Sequence, residues 1–162
     1  MGNVAVLALR VVLALGLLGS LFVQAVMVPL LAVDLNDAPA GVRIPVVVIV
    51  LLGILTTQVV MVCVWRLLTM VRRGTVFSPA AFGYVDVVIG AVATASVLAF
   101  GLGVVLAPGE AVAPGIVLLI GGFALMVAGV ALLVLVLRTL LAQAVARDAE
   151  ATSLRSELDE VI

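Results

Sequence analysis

Residues 44–71 read IPVVVIVLLGILTTQVVMVCVWRLLTMV, and this stretch decides the fold. Its only charge is Arg66, near the end. A helix needs about 20 predominantly apolar residues to cross roughly 30 Å of hydrocarbon, and this run exceeds that length. Apolar and polar residues do not alternate with period two, so the pattern argues against a lipid-facing β-barrel strand. Three more runs of the same kind flank it. Val4 to Val33 is broken only by Arg10, Pro79 to Leu106 carries Asp86, and Pro114 to Leu141 has Arg138 near its end. The expected fold is therefore an all-α, integral membrane four-helix bundle with spans at 4–33, 44–71, 79–106 and 114–141.

Composition agrees. Of 162 residues, 66% are hydrophobic and 10% charged, against about 45–50% and about 25% in an ordinary soluble domain. A domain of about 150 residues still exposes roughly 30% of its unfolded surface, so the apolar excess must face lipid. A soluble enzyme, a secreted disulfide scaffold and a disordered protein are ruled out. The chain has no His, no Lys and one Cys, Cys63. A Ser-His-Asp triad, a Ser-Lys pair and a Walker-type loop each lack a required residue. A His/Cys zinc site and an internal disulfide are equally excluded within one chain. The expectation is a non-enzymatic protein with no cofactor, no metal and no direct nucleic-acid binding.

The connections are short: Asp34 to Arg43, Arg72 to Ser78, and Ala107 to Ala113. Ser78-Pro79 and Pro114 have the chemistry of helix starts. No connection is long enough to fold alone, so residues 1–146 form one membrane domain and residues 147–162 an acidic tail. Arg10, Arg66, Arg72, Arg73, Arg138, Arg147 and Arg155 fall on one side of four spans, and only Arg43 on the other. The positive-inside rule places both termini in the cytoplasm. An all-Arg basic set with an Ala, Val and Leu excess suggests a high-GC bacterium, hence the bacterial inner membrane. Trp65, Phe77, Phe82 and Tyr84 fall at the inner ends of spans two and three. A cleaved signal peptide ending near Val23-Gln24-Ala25 is the competing reading of the N-terminus. The apolar run continues on both sides of any such core and matches a full span.

Few residues carry chemistry. Asp86 lies about 12 Å along its helix from Ser78. A carboxylate there is either a proton or cation site, or the partner of Arg66, Arg72 or Arg73. Pairing, chiefly with Arg66, is the preferred reading, since intramembrane charges usually pair. Gly16, Ser20 and Gln24 share one face of span one, while Thr57 and Gln58 follow Gly53 in span two; polar glue between helices is the expectation. Ala91, Ala95, Ala99 and Gly103 recur every four residues, and Gly115, Gly122 and Gly129 every seven. Such stripes suit a tight bundle or a homo-oligomer. Cys63 reads as a small apolar packer.

From Arg147 onward, two Arg stand against five acids (Asp148, Glu150, Glu157, Asp159 and Glu160), a net charge of −3. Anionic lipid repels such a tail. Yet Leu154, Leu158, Val161 and Ile162 are spaced as an apolar helix stripe. Acids in the last turns oppose the helix dipole, so the segment frays when alone. An acidic, striped, marginal helix suits docking to a cytosolic protein, with Leu154, Leu158, Asp159, Val161 and Ile162 as contacts. The competing readings are a solvated tail and one folded back on the loop arginines.

The inner turn Arg73-Gly74-Thr75-Val76-Phe77-Ser78 and the ending Leu154-Arg155-Ser156-Glu157-Leu158-Asp159-Glu160-Val161-Ile162 resemble a bacterial four-span family, the domain of unknown function 2975. The resemblance covers nearly the whole chain. It departs at Phe82-Gly83-Tyr84-Val85-Asp86, where relatives often carry basic residues. The resemblance implies a partner, because similar proteins are commonly encoded beside a small Cro/C1-type helix-turn-helix regulator. It implies no established activity. The first functional expectation is thus a membrane regulator or anchor holding a small helix-turn-helix partner through the tail and Arg72-Arg73. The alternative is a small proton-linked transporter or permease using Asp86 and the Gln residues.

Overall fold

A computed structural model describes residues 2–73, 79–108 and 112–161. The fold is all-α, as expected. Helix α1 (Gly2–Phe22) passes through a π turn (Val23–Met27) into α2 (Val28–Asp34) and a short 3-10 turn (Leu35–Asp37). Helices α3 (Ala40–Arg72), α4 (Pro79–Leu106) and α5 (Pro114–Val161) follow. Four helical stretches are long and apolar enough to cross a membrane: Val4–Asp37, Ala40–Arg72, Ala80–Leu106 and Pro114–Leu158. The chain is a multi-pass membrane protein.

The π turn has a local cause. Pro29 has no N–H, and its ring crowds the carbonyl of Ala25 four residues earlier. The helix responds by widening, and the Val28 N–H donates to the Val23 carbonyl five residues back. Gln24 sits inside that widened turn.

Two helices extend beyond the membrane spans read from the sequence. α3 begins at Ala40, ahead of Ile44, because extended Pro39 (φ −54°, ψ 140°) caps it. Its carbonyl accepts the Val42 and Arg43 N–H groups. α5 does not stop at the expected edge of the bilayer near Leu141. It continues through the tail as one helix of 48 residues, about 72 Å at 1.5 Å per residue. The stretch after Leu141 holds neither Gly nor Pro, and Ala, Arg, Glu and Leu dominate it. Nothing there ends a helix.

Consecutive spans run antiparallel. Between spans one and two, Arg10 meets Thr69 and Gln24 meets Gln58. Between α4 and α5, Asp86 meets Arg138 and the Ser96 hydroxyl donates to the Ala124 carbonyl at 2.8 Å. In each pair the residue number rises on one helix as it falls on the other. Packing follows sequence order, with α4 against both α3 and α5 and span one against α3. The N-terminal end of α1, the C-terminal end of α3, the N-terminal end of α4 and the tail therefore share one end of the bundle.

The buried apolar set is small and short-chained: Val28, Val46, Cys63, Ala81, Ala124 and Ala131. Large side chains point outward, Leu118 by 79% and Leu125 by 76%. This inside-out distribution suits lipid, which leaves small residues for the helix contacts. Gly103 does such work: a Cβ there would stand 3.5 Å from Ile120 Cγ2. The Gly115, Gly122 and Gly129 stripe does not pack within the chain. A Cβ at any of the three would meet nothing within 4 Å. Ala124 and Ala131, also seven residues apart, form the α5 packing face instead.

Candidate functional site

At the tail end of the bundle, two arginines reach across helix interfaces. Arg138 on α5 donates from Nη2 to Asp86 Oδ2 on α4 at 2.7 Å. Its guanidinium also lies 6.0 Å from the Phe82 ring centroid. The expected partner of Asp86 was Arg66, or else Arg72 or Arg73, and the structure corrects this. Phe82 and Asp86 are one turn apart on the face of α4 that meets α5. Arg66 lies on the far side of α3, lining a groove against span one with Ala14, Leu17, Leu18 and Trp65. Asp86 remains 49% exposed and Arg138 30%. The pair therefore sits at a boundary, and it fastens α4 to α5.

The second arginine is Arg10. Its Nη2 donates to Thr69 Oγ1 at 3.1 Å, and its guanidinium lies over the Trp65 ring, 5.6 Å from the centroid. Thr69 Oγ1 donates in turn to the Trp65 carbonyl at 3.0 Å. The Arg10 Nε is buried without a hydrogen-bond partner. With Thr69, Arg72 and Arg73, Arg10 lines a concavity of about 360 Å³. Arg10 drew no role in the sequence reading beyond its charge. A signal existed: once Gln24 is set opposite Gln58, antiparallel counting brings Arg10 beside the end of α3.

Mid-bundle, the two amides meet. Gln58 Nε2 donates to Gln24 Oε1 at 2.9 Å and to Ser20 Oγ at 3.3 Å, while Ser20 donates to the Leu17 carbonyl. Thr56 and Thr57 both return their hydroxyl protons to the Gly53 carbonyl. Gln24, Gln58 and Ser20 thus join spans one and two by side-chain hydrogen bonds, as glue between helices requires.

A longer groove, about 400 Å³, runs between α3, α4 and α5. Gly53, Ala91, Ala95 and Ala99 form much of its wall. The four-residue small stripe thus divides its work: the alanines open the groove, while Gly103 closes on α5. Among the described residues, no group of three His, Cys, Asp or Glu is placed to hold a metal ion.

The tail is helical and solvent-facing. Leu154 is 60% exposed and Leu158 63%. The side chains of Asp159, Val161 and Ile162 lie outside the described residues, as do Gly74–Ser78 and Glu110.

The family model for DUF2975, proteins of unknown function, matches residues 31–162. The chain belongs to the DUF2975 family. The matched region of this DUF2975 protein takes in spans two to four and the tail, and so Arg72, Arg73, Asp86 and Arg138. No curated protein and no solved structure matches the chain.

Proposed function

We propose that this protein is a non-enzymatic membrane regulator or anchor whose tail holds a small cytosolic protein. The observation that carries this reading is the continuity of α5. The tail is the projecting end of a membrane helix, so the cost of starting a helix is already met by the span. An exposed Leu154 and Leu158 ride on that arm. Burying one such side chain contributes about 1.5–3 kcal/mol, and a stripe of them offsets the cost of ordering a short arm. The net charge of the tail keeps it off anionic lipid. The partner's kind, a small helix-turn-helix regulator, rests on the family resemblance. The Arg distribution supports an orientation with both termini in the cytoplasm of a bacterial inner membrane.

Proton-linked transport has weaker support. Asp86 is engaged by Arg138, and the mid-span amides engage each other, which leaves no continuous row of free polar groups among the described residues.

The test compares proteins co-purifying with the full chain, with a form lacking residues 154–162, and with Leu158→Asp. A small helix-turn-helix protein present only with the full chain, and rebinding it when both are purified, is the expected result. Identical sets from all three forms would remove the regulator reading.

A further inference from the structure

We infer that the concavity formed by Arg10, Thr69, Arg72 and Arg73 is a binding site for a phosphate group, of the kind an anionic phospholipid headgroup carries. This goes beyond the proposed docking function, which rests on the tail, and gives Arg72 and Arg73 a phosphate ligand in place of the protein partner expected from the sequence.

The inference starts from a contrast. Two arginines anchor helix interfaces at this end of the bundle. Arg138 has its charge met by Asp86 at 2.7 Å. Among the described residues Arg10 has neutral partners, the Thr69 hydroxyl and the Trp65 ring. The Nε of both arginines is buried without an acceptor, so the two differ in whether a carboxylate meets the charge. Arg72 and Arg73 line the same concavity, and among the described residues no carboxylate lines it with them. The sequence explains why. Asp34 and Asp37 belong to the opposite end, Asp86 is taken by Arg138, and five more acids lie on the tail. The turn that follows Arg73 holds no acid either.

Three arginines line one hollow, and an anion seated there is attracted by all three positive charges. Guanidinium presents parallel N–H donors matched to the oxygens of a phosphate. A basic pocket between membrane helices at the bilayer edge is a natural headgroup site. Trp65, an interfacial residue type, stands one turn before Thr69 and marks the depth. A volume of about 360 Å³ leaves room for a phosphate with part of its headgroup.

The experiment uses the full chain in neutral detergent and reads thermal unfolding. Three probes are titrated: short-chain phosphatidylglycerol, short-chain phosphatidylcholine and inorganic phosphate. Arg72→Gln/Arg73→Gln is the principal variant, because both side chains are exposed and their loss leaves the fold intact. Arg10→Gln is the second variant, and Arg43→Gln, at the other end of the bundle, is the control. Phosphatidylglycerol is expected to raise the unfolding temperature of the wild type and of Arg43→Gln. The Arg72→Gln/Arg73→Gln form should need at least about tenfold more of it. A matching shift with inorganic phosphate would make a free phosphate the ligand, and a shift confined to phosphatidylglycerol would make it the lipid headgroup. No shift with either, or one equal in Arg72→Gln/Arg73→Gln and wild type, would overturn the proposal. A shift seen only after removal of residues 147–162 would give the pocket to the chain's own acidic tail and would also overturn it. Loss of the helix-turn-helix partner leaves all of these readings unchanged, so failure of one proposal is distinguishable from failure of the other.

Discussion

Gln58 donates its amide N–H to the Gln24 carbonyl oxygen across the middle of spans one and two, at 2.9 Å. This bond sets the register of span one. The two helices meet through few side chains, and a Cβ at Gly16, one of the closest approaches, would stand 3.1 Å from Met61 Sδ. A double-mutant cycle with Gln24→Leu and Gln58→Leu should give a coupling of about 0.6 kcal/mol, with about 1.7 as the ceiling for such bonds in membranes. Reversible unfolding in detergent measures it. Zero coupling would mean that the amides do not hold the helices together.

Asp86 and Arg138 yield a second cycle. Asp86→Asn should destabilise by about 1 kcal/mol, given a half-exposed pair. Asp86→Asn combined with Arg138→Gln should be clearly non-additive, and combined with Arg66→Gln it should be additive. The opposite pattern would return the pair to α3 and α4.

That pair shows where sequence reading stops. An acid and several arginines at one end of the bundle predict an ion pair. Which arginine answers depends on the rotation of α4, and its small-residue stripe of Ala91, Ala95, Ala99 and Gly103 marks a packing face without saying whether α3 or α5 lies opposite Asp86. The spans themselves were legible from length alone, because lipid imposes a minimum run of apolar residues. The continuation of α5 past Leu141 was legible too, in the absence of Gly and Pro, but a membrane edge is easily mistaken for a helix end. The role of Arg10 needed the register supplied by Gln24 and Gln58.

The glycines separate packing from mere composition. Gly103→Leu forces a side chain against Ile120 and should cost about 1–3 kcal/mol by overpacking. Gly122→Leu points into open space and should leave the stability of the isolated chain unchanged. Thermal unfolding of the two variants decides; equal losses would mean that the Gly115, Gly122 and Gly129 stripe faces another helix after all.

Orientation is tested by cysteine accessibility in a Cys63→Ala background. Asn36→Cys should react with an impermeant thiol reagent added outside intact cells, and Arg155→Cys only after the membrane is opened. Labelling of Arg155→Cys from outside would overturn the orientation derived from the Arg distribution.

The tail tests the continuity of α5 directly. The acids Glu157, Asp159 and Glu160 oppose the helix dipole at its C-terminal end and would unwind an isolated peptide. In the intact chain the span supplies the nucleus, and each further residue adds a hydrogen bond to a helix already formed. Spin labels at Gln143→Cys and Arg155→Cys, again with Cys63→Ala, should therefore give a narrow distance distribution. Twelve residues at 1.5 Å separate the two backbones by about 18 Å. A peptide spanning residues 142–162 should give a broad distribution in the same buffer, because it lacks the span. An Ala146→Pro substitution in the full chain should broaden the distribution as well, by removing a helix bond at a cost of about 3 kcal/mol. A broad distribution in the unmodified full chain would mean that the arm is not rigidly presented. The docking reading would then have to rest on a tail that folds only as it binds.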